Sequence, residues 1–173
     1  MEVVGIIGDR GAGKTCLMTA LLYIDYRLGF PIVANYSLNF KANYMGFAKV
    51  ATLPESLRGT TIGIDELGIG ADSREFFKKR NSDIAKLITQ LRKRQCLFYY
   101  TVQRLNLIDK RIRQQTDKYI LMEATNTEGI FIMRMLNGWN SDLLYKSKFN
   151  GKPFFDMYDT NEIIELEDKE EEF

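Results

Sequence analysis

Gly8 to Thr15 reads GDRGAGKT, with Gly8, Gly13, Lys14 and Thr15 at the fixed positions of G-x-x-x-x-G-K-[ST]. These residue types at this spacing suit a chain of phosphates. Glycines let consecutive backbone N–H groups turn inward around phosphate oxygens, and a helix N-terminus adds partial positive charge. Gly8, Asp9, Arg10, Gly11, Ala12, Gly13, Lys14, Thr15 and Cys16 are therefore the candidate nucleotide-binding positions. Within them, Lys14 is the charge that reaches the β- and γ-phosphates, and the Thr15 hydroxyl is a Mg²⁺ ligand.

A second chemical stretch is Thr60 to Glu66, TTIGIDE, a β-branched run that ends in adjacent carboxylates. This is the Walker B pattern. Asp65 is placed to hold Mg²⁺ directly or through water, and Glu66 to orient and deprotonate an attacking water. Ligands of an open parallel sheet sit at the C-terminal ends of its strands, so this pair and the glycine loop should share a crevice. Leu97 to Thr101 (LFYYT) is a further apolar strand running out into Val102 and Gln103. Its amide would lie on the same edge as Asp65, where it can sense the γ-phosphate or position water. The chain has no histidine, which excludes imidazole catalysis and histidine-ligated zinc.

The elements around these residues are those the chemistry needs. Glu2 to Ile7 (EVVGII) reads as a buried strand entering the loop. Cys16 to Leu28 reads as a helix leaving it, with Leu17, Leu21, Ile24 and Leu28 along one face. Gly29 and Pro31 close that helix, and Ile32 to Ala34 is a short second strand. Asn35 to Ala51 is compatible with a hairpin or with a loop over the nucleotide. Pro54 to Arg58 reads as a short helix, Gly68 to Asp72 as a loop, and Ser82 to Arg94 as a helix capped by Ser82 with Ile84, Leu87, Ile88 and Leu91 as its stripe. Asn106 to Thr116 predicts another short helix. Tyr119 to Thr125 and Gly129 to Leu136 predict an antiparallel hairpin at the sheet's edge, and Leu144 to Phe149 and Phe154 to Tyr158 are strand or loop. Alternating strands and helices give an α/β, three-layer P-loop NTPase fold with a mainly parallel sheet.

With 173 residues, 45% of them hydrophobic and 12% aromatic, the chain is long and apolar enough for one core. A single ATPase domain is expected over 1–165, followed by an acidic, disordered tail over 166–173. Cys16 and Cys96 form no metal-like pair and are expected to be reduced. No apolar run approaches the ~18 residues that span a bilayer, and the glycine loop starts too early for a signal peptide. The expected location is the host cytoplasm or a virion. The net charge of +1 hides an asymmetry: Arg74 to Lys118 has 13 Lys and Arg against four acids, whereas Asp156 to Phe173 has one Lys against nine acids. Such a basic middle suits non-specific contact with nucleic-acid phosphates.

GDRGAGKT, TTIGIDE and RKRQCLFYYTVQRLNLIDKRIRQQTD together resemble the FtsK–HerA superfamily of P-loop motor ATPases. The likeness extends to the compact genome-packaging ATPases of membrane-containing and archaeal viruses, and to the Zot-like proteins of filamentous phages. It runs from Val3 to about Tyr119, with a weaker echo in FDMYDTNEII. The resemblance implies ATP and Mg²⁺ at Lys14, Thr15 and Asp65, water activation by Glu66, and a sensor amide at Gln103. It also implies a ring, often a hexamer, in which one subunit lends an arginine to its neighbour's γ-phosphate. Arg94 and Arg92 are the first candidates, with Arg74, Arg80, Arg111 and Arg113 still open.

The function implied is an ATP-driven translocase that packages viral double-stranded DNA, with a capsid or membrane protein as a further partner. The membrane segments and winged helix of FtsK, the barrel of HerA, the membrane segment of Zot and the terminase nuclease domain have no counterpart in this sequence, which favours a minimal motor. The alternatives are a Zot-like assembly and export ATPase, and a nucleotide-dependent switch or small-molecule kinase. An N-K-x-D base-recognition signature is absent, which counts against a GTPase.

Overall fold

Strand β1 (Val3–Ile7) is buried at every position, as a central parallel strand covered on both faces must be. The computed structural model describes residues 2–46, 58–67, 86 and 88–159, and among them β1 lies in an eight-stranded sheet whose order is β3 (Asn43–Tyr44), β2 (Ile32–Ala34), β4 (Thr61–Ile64), β5 (Leu97–Val102), β1, β6 (Lys118–Ala124), β7 (Ile130–Asn137) and β8 (Leu143–Asn150). β2, β4, β5 and β6 join β1 in a parallel array. Thus β5, the strand leading to Gln103, lies between the strand of the glycine loop and the strand of Asp65. β7 and β8 add an antiparallel extension beyond β6. The Tyr119–Thr125 and Gly129–Leu136 hairpin is present, but β8 takes the outer edge.

Alternation along β1 sends Val3 and Ile7 to one face and Val4 and Ile6 to the other, each into its own apolar cluster. On the first face lie Ile88 and Leu91, in the helical stretch over residues 88–93, and Ile112, from the short helix Lys110–Gln114. Helix α1 (Lys14–Arg27) covers the second face through Leu17, Met18 and Leu22. Both faces of the parallel core are thereby covered by helix, whereas β8 stays largely exposed. Glycines make two close approaches possible here. A Cβ on Gly5 would stand 2.6 Å from the Tyr100 hydroxyl, and one on Gly63 would stand 2.6 Å from Leu22.

α1 corrects the stripe expected from spacing. Leu17 is buried and Leu21 partly so, but Ile24 and Leu28 are 50% and 69% exposed. The buried residues are Cys16, Leu17, Met18, Thr19, Ala20, Leu22 and Asp25. The first turns are enclosed by the sheet and also by the 3-10 segment Lys152–Met157, so nearly every position there is inside. Asp25 is buried against β4, where its carboxylate accepts from the Thr61 hydroxyl at 3.2 Å, and burial pushes its carboxyl up.

Other local expectations shift for identifiable reasons. Within Asn35–Ala51, β3 (Asn43–Tyr44) pairs parallel with β2, so β2 and β3 do not form a hairpin. The predicted helix Asn106–Thr116 divides into a 3-10 turn at Leu105–Leu107 and the helix Lys110–Gln114. Asp109 makes the break: it sits in extended backbone, and its carboxylate caps the Arg111 N–H at 2.8 Å. Phe154–Tyr158 is largely 3-10 helix, ending in a bridge from Tyr158 to Leu38. Residues 54–57 of the Pro54–Arg58 helix, Gly68–Asp72, the candidates Arg74 and Arg80, Ser82 with Ile84 and Leu87, the domain's last residues from 160 to 165 and the tail from 166 to 173 lie outside the described residues.

Candidate nucleotide-binding site

β1 ends at Ile7, and the loop Gly8–Gly13 turns the chain into α1. Gly11 and Gly13 have φ of 74° and 78°, the left-handed region that glycine enters without a Cβ clash. Gly8 is fixed by proximity instead, since a Cβ there would lie 2.5 Å from the Met122 carbonyl oxygen on β6. Asp9, Arg10 and Gly11 are exposed at the rim, and Ala12 is buried beneath them. Lys14 bends back so that Nζ donates to the Asp9 carbonyl at 2.9 Å, across the mouth of the loop. Half-buried, its ammonium loses hydration and its pKa falls, an effect opposed by the charges of Asp65, Glu66 and Asp9.

Thr15 brings the loop to the acids. Its hydroxyl donates to Asp65 Oδ2 at 2.9 Å. Asp65 is 6% exposed and is held on every side. Its other carboxylate oxygen accepts from the Thr101 hydroxyl, its N–H donates to Asn35 Oδ1 at 2.7 Å, and its carbonyl accepts from Asn35 Nδ2 at 3.1 Å. Burial drives the Asp65 carboxyl above its usual range despite the Thr101 and Thr15 hydrogen bonds and the Lys14 charge. Glu66 has φ of 54°, a left-handed conformation uncommon for a residue with a side chain. Its N–H donates to Thr101 Oγ1 at 2.8 Å, and the next N–H, of Leu67, donates to the Thr101 carbonyl at 2.9 Å. β5 thus clamps the turn that presents Glu66. Burial, and then the neighbouring Asp65 charge, push the Glu66 carboxyl up.

Asn35 and Thr101 are the site residues that motif reading passes over. Each is a single polar residue at or just past the C-terminal end of a buried parallel strand, which was the available signal. Gln103 follows β5 on this same edge, because Val102 is in register with Ile7, the residue before Gly8. It is half-buried. Cys16 is buried directly behind the loop, where its thiol donates to the Gly151 carbonyl at 3.5 Å and burial raises its pKa to about 11. Cys16 and Cys96 are both free thiols.

Arg92 and Arg94 stand elsewhere. Both precede the start of β5, at the sheet edge opposite the glycine loop. Arg92 donates to the Gln115 carbonyl at 2.9 Å and pairs with Asp117 at 2.8 Å. The Arg94 carbonyl accepts the Gly59 N–H at 3.1 Å. Neither arginine joins the cluster of Lys14, Thr15, Asp65 and Glu66.

The donors fit a hard cation completed by water and phosphate. Among the described residues no group of three or more Cys, Asp or Glu could cage a metal. What exists is one hydroxyl touching one buried carboxylate, oxygen donors of the kind Mg²⁺ uses when phosphates supply the rest.

No family model matches the chain, and no curated protein matches it in sequence. Solved structures do. The N-terminal domain of zonular occludens toxin from Neisseria meningitidis superposes with a TM-score of 0.67 at 17% identity, covering 92% of this chain and 100% of that one. The genome packaging NTPase B204 from Sulfolobus turreted icosahedral virus 2, in complex with AMP, gives 0.57 at 10% identity, covering 82% and 95%. The flagellar accessory protein FlaH from Methanocaldococcus jannaschii gives 0.60 at 12% identity, covering 86% and 84%. No helix among the described residues is long and apolar enough to cross a membrane. A mostly parallel sheet, a glycine loop at the end of its central strand and these superpositions agree: the chain has the P-loop NTPase fold.

Proposed function

We propose that the chain is an Mg²⁺-dependent ATPase of the FtsK–HerA type, whose turnover moves double-stranded DNA during viral genome packaging. The observation that carries the ATPase reading is the contact of Thr15 with Asp65, with Glu66 beside it on a turn clamped by Thr101. Thr15 and Asp65 would hold Mg²⁺, which when bound neutralises charge on the β- and γ-phosphates. Lys14 moves from the Asp9 carbonyl to phosphate oxygens, and the N–H groups of the loop line the phosphate chain. Glu66 accepts the proton of the attacking water. Gln103 holds that water or the γ-phosphate by its amide. Arg94 or Arg92 of another copy supplies positive charge to the transition state, in a ring of several subunits.

DNA as the driven partner is supported by the likeness to packaging NTPases and by the basic middle of the sequence. The test is ATP turnover with and without duplex DNA, using Lys14→Ala as the control. The expected outcome is DNA-stimulated hydrolysis by the wild type and loss of ATP binding by the variant. Absence of stimulation at low salt would remove the translocase reading, and unchanged ATP affinity in the variant would remove the P-loop assignment. A capsid or membrane protein would recruit the ring.

One observation favours a second reading, a Zot-like assembly ATPase: the superposition spans the whole of the occludens-toxin domain. Turnover that responds to a membrane or assembly protein and ignores DNA would select it.

A further inference from the structure

At the sheet edge opposite the glycine loop, β7 turns into β8 through Gly138, Trp139 and Asn140. Trp139 is 79% exposed, the most exposed of the large hydrophobic residues among those described. The backbone of the turn is fixed. The Trp139 N–H donates to Asn137 Oδ1 at 2.8 Å, and the Gly138 N–H donates to the Asp117 carbonyl at 2.9 Å. A Cβ on Gly138 would stand 2.0 Å from the Thr116 carbonyl oxygen, so the backbone is seated tightly on the start of β6. A turn fixed this firmly could carry any polar side chain. It carries an indole left mostly in solvent, forgoing most of the gain a Trp normally makes on folding.

The indole forms one wall of a cleft of about 580 Å³ whose other lining includes Lys110, Arg113 and Tyr119. Lys110 and Arg113 project from the short helix, are exposed, and make no salt bridge among the described residues. Nearby acids are already engaged: Asp109 with Arg111 at 2.9 Å, and Asp117 with Arg92 at 2.8 Å. The cleft therefore joins two cations that make no salt bridge among the described residues to one exposed aromatic ring. Phosphate answers the cations and an unstacked base answers the ring, a pairing that single-stranded nucleic acid provides along its length. Acidic peptides would satisfy the cations but leave the indole in water. Intact duplex keeps its bases stacked and offers the indole little.

We propose, building on the reading of the chain as a DNA motor, that the Lys110–Arg113–Trp139 cleft holds one strand of nucleic acid, with phosphates on the two cations and a base stacked on the indole. Trp139 is the sole tryptophan of the chain, so its fluorescence reports this site alone. The full chain is titrated with a short oligothymidylate, with a duplex of equal length, and with polyglutamate at matched salt. The expected result is quenching by oligothymidylate well beyond that by duplex or polyglutamate. By anisotropy of a labelled oligothymidylate, Trp139→Ala should lose roughly 5- to 150-fold in affinity, the usual span for one stacked base. Lys110→Ala with Arg113→Ala should lower the slope of log affinity against log salt by roughly 1.4, about 0.7 for each phosphate contact. Equal quenching by polyglutamate or by duplex, or an unchanged slope in the double variant, overturns the proposal. DNA-stimulated ATP turnover without Trp139 quenching removes the cleft and leaves the motor. Quenching without stimulation supports the cleft and removes the coupling to DNA.

Discussion

Glu66 and Asp65 are neighbours in sequence, yet their surroundings divide their work. Asp65 is sealed in by Thr15, Thr101 and Asn35, whereas Glu66 is only half-buried and makes no side-chain hydrogen bond among the described residues. A carboxylate already filled with donors suits a fixed metal ligand, and an unfilled one suits proton transfer. Glu66→Gln should retain ATP binding and lose turnover by roughly 10²-fold or more, the usual worth of a positioned base. Near-normal hydrolysis in a single-turnover assay would remove Glu66 from that role. Because burial and Asp65 raise its pKa in the nucleotide-free protein, kcat/KM, which reports the free enzyme, should fall on acidification at a pH above the ordinary carboxylate range. Asp65 makes a separate thermodynamic prediction. Its carboxyl binds its proton more tightly folded than unfolded, so its charge costs stability at neutral pH, and folding gains as pH falls through the raised value. Asp65→Asn should therefore raise the Tm of the nucleotide-free protein, at about 2–4 °C per kcal/mol for a chain of this size, while abolishing Mg²⁺-dependent binding. The amide can still accept from Thr101 and can donate to the Thr15 hydroxyl. A lower Tm by calorimetry would show that the hydrogen bonds outweigh the desolvation.

Elements set how much of this could be foreseen. The glycine loop, the acid pair and Gln103 were legible because each is a local pattern on one strand end. Asn35 and Thr101 were not, because their value comes from standing beside Asp65 across strand neighbours 30 and 36 residues away. The wrong face assigned to α1 has the same origin: its first turn is covered from Gly151, 135 residues later, and spacing within a helix carries no trace of that. The antiparallel extension also reaches the loop. A Cβ on Gly13 would stand 2.7 Å from the Phe131 ring of β7, whereas one on Gly11 would meet nothing within 4 Å. Both glycines have positive φ, so the pair separates strain from packing. Gly11→Ala should cost about 1–2 kcal/mol, the left-handed penalty alone. Gly13→Ala should cost clearly more, since Phe131 is stacked on Phe149 at 6.2 Å and has little room to swing. Equal denaturant midpoints for the two variants would show that β7 does not brace the loop. Adding Phe131→Leu to Gly13→Ala should recover part of the loss.

At the scale of the whole molecule, the two ends of the parallel strands carry different sets of side chains. The C-terminal edge holds Lys14, Thr15, Asp65, Glu66 and Gln103; the opposite edge holds Arg92, Arg94, Lys118 and the Trp139 turn. β1 alone, at five residues, separates them by roughly 16 Å. No side chain crosses that distance, so an arginine from the far edge can meet a γ-phosphate only in another copy. Arg92 is held within its own chain by Asp117 and the Gln115 carbonyl, and Arg94, at the end of the same helical stretch, is the first candidate that the sequence offers. If Arg94 acts in trans, Arg94→Ala should keep ATP binding and lose hydrolysis by ~10³- to 10⁵-fold, because such a charge stabilises only the transition state. Mixing Arg94→Ala subunits with Lys14→Ala subunits then distinguishes a finger from a folding defect. Each variant alone is inactive, but mixed rings contain interfaces that pair an intact glycine loop with an intact arginine, and these should restore part of the rate. Arg92→Ala should instead lower stability through the loss of its Asp117 pair and show no rescue by mixing. Mixed Arg94→Ala and Lys14→Ala rings that co-assemble by solution mass and stay inactive would remove Arg94 from the neighbour's site.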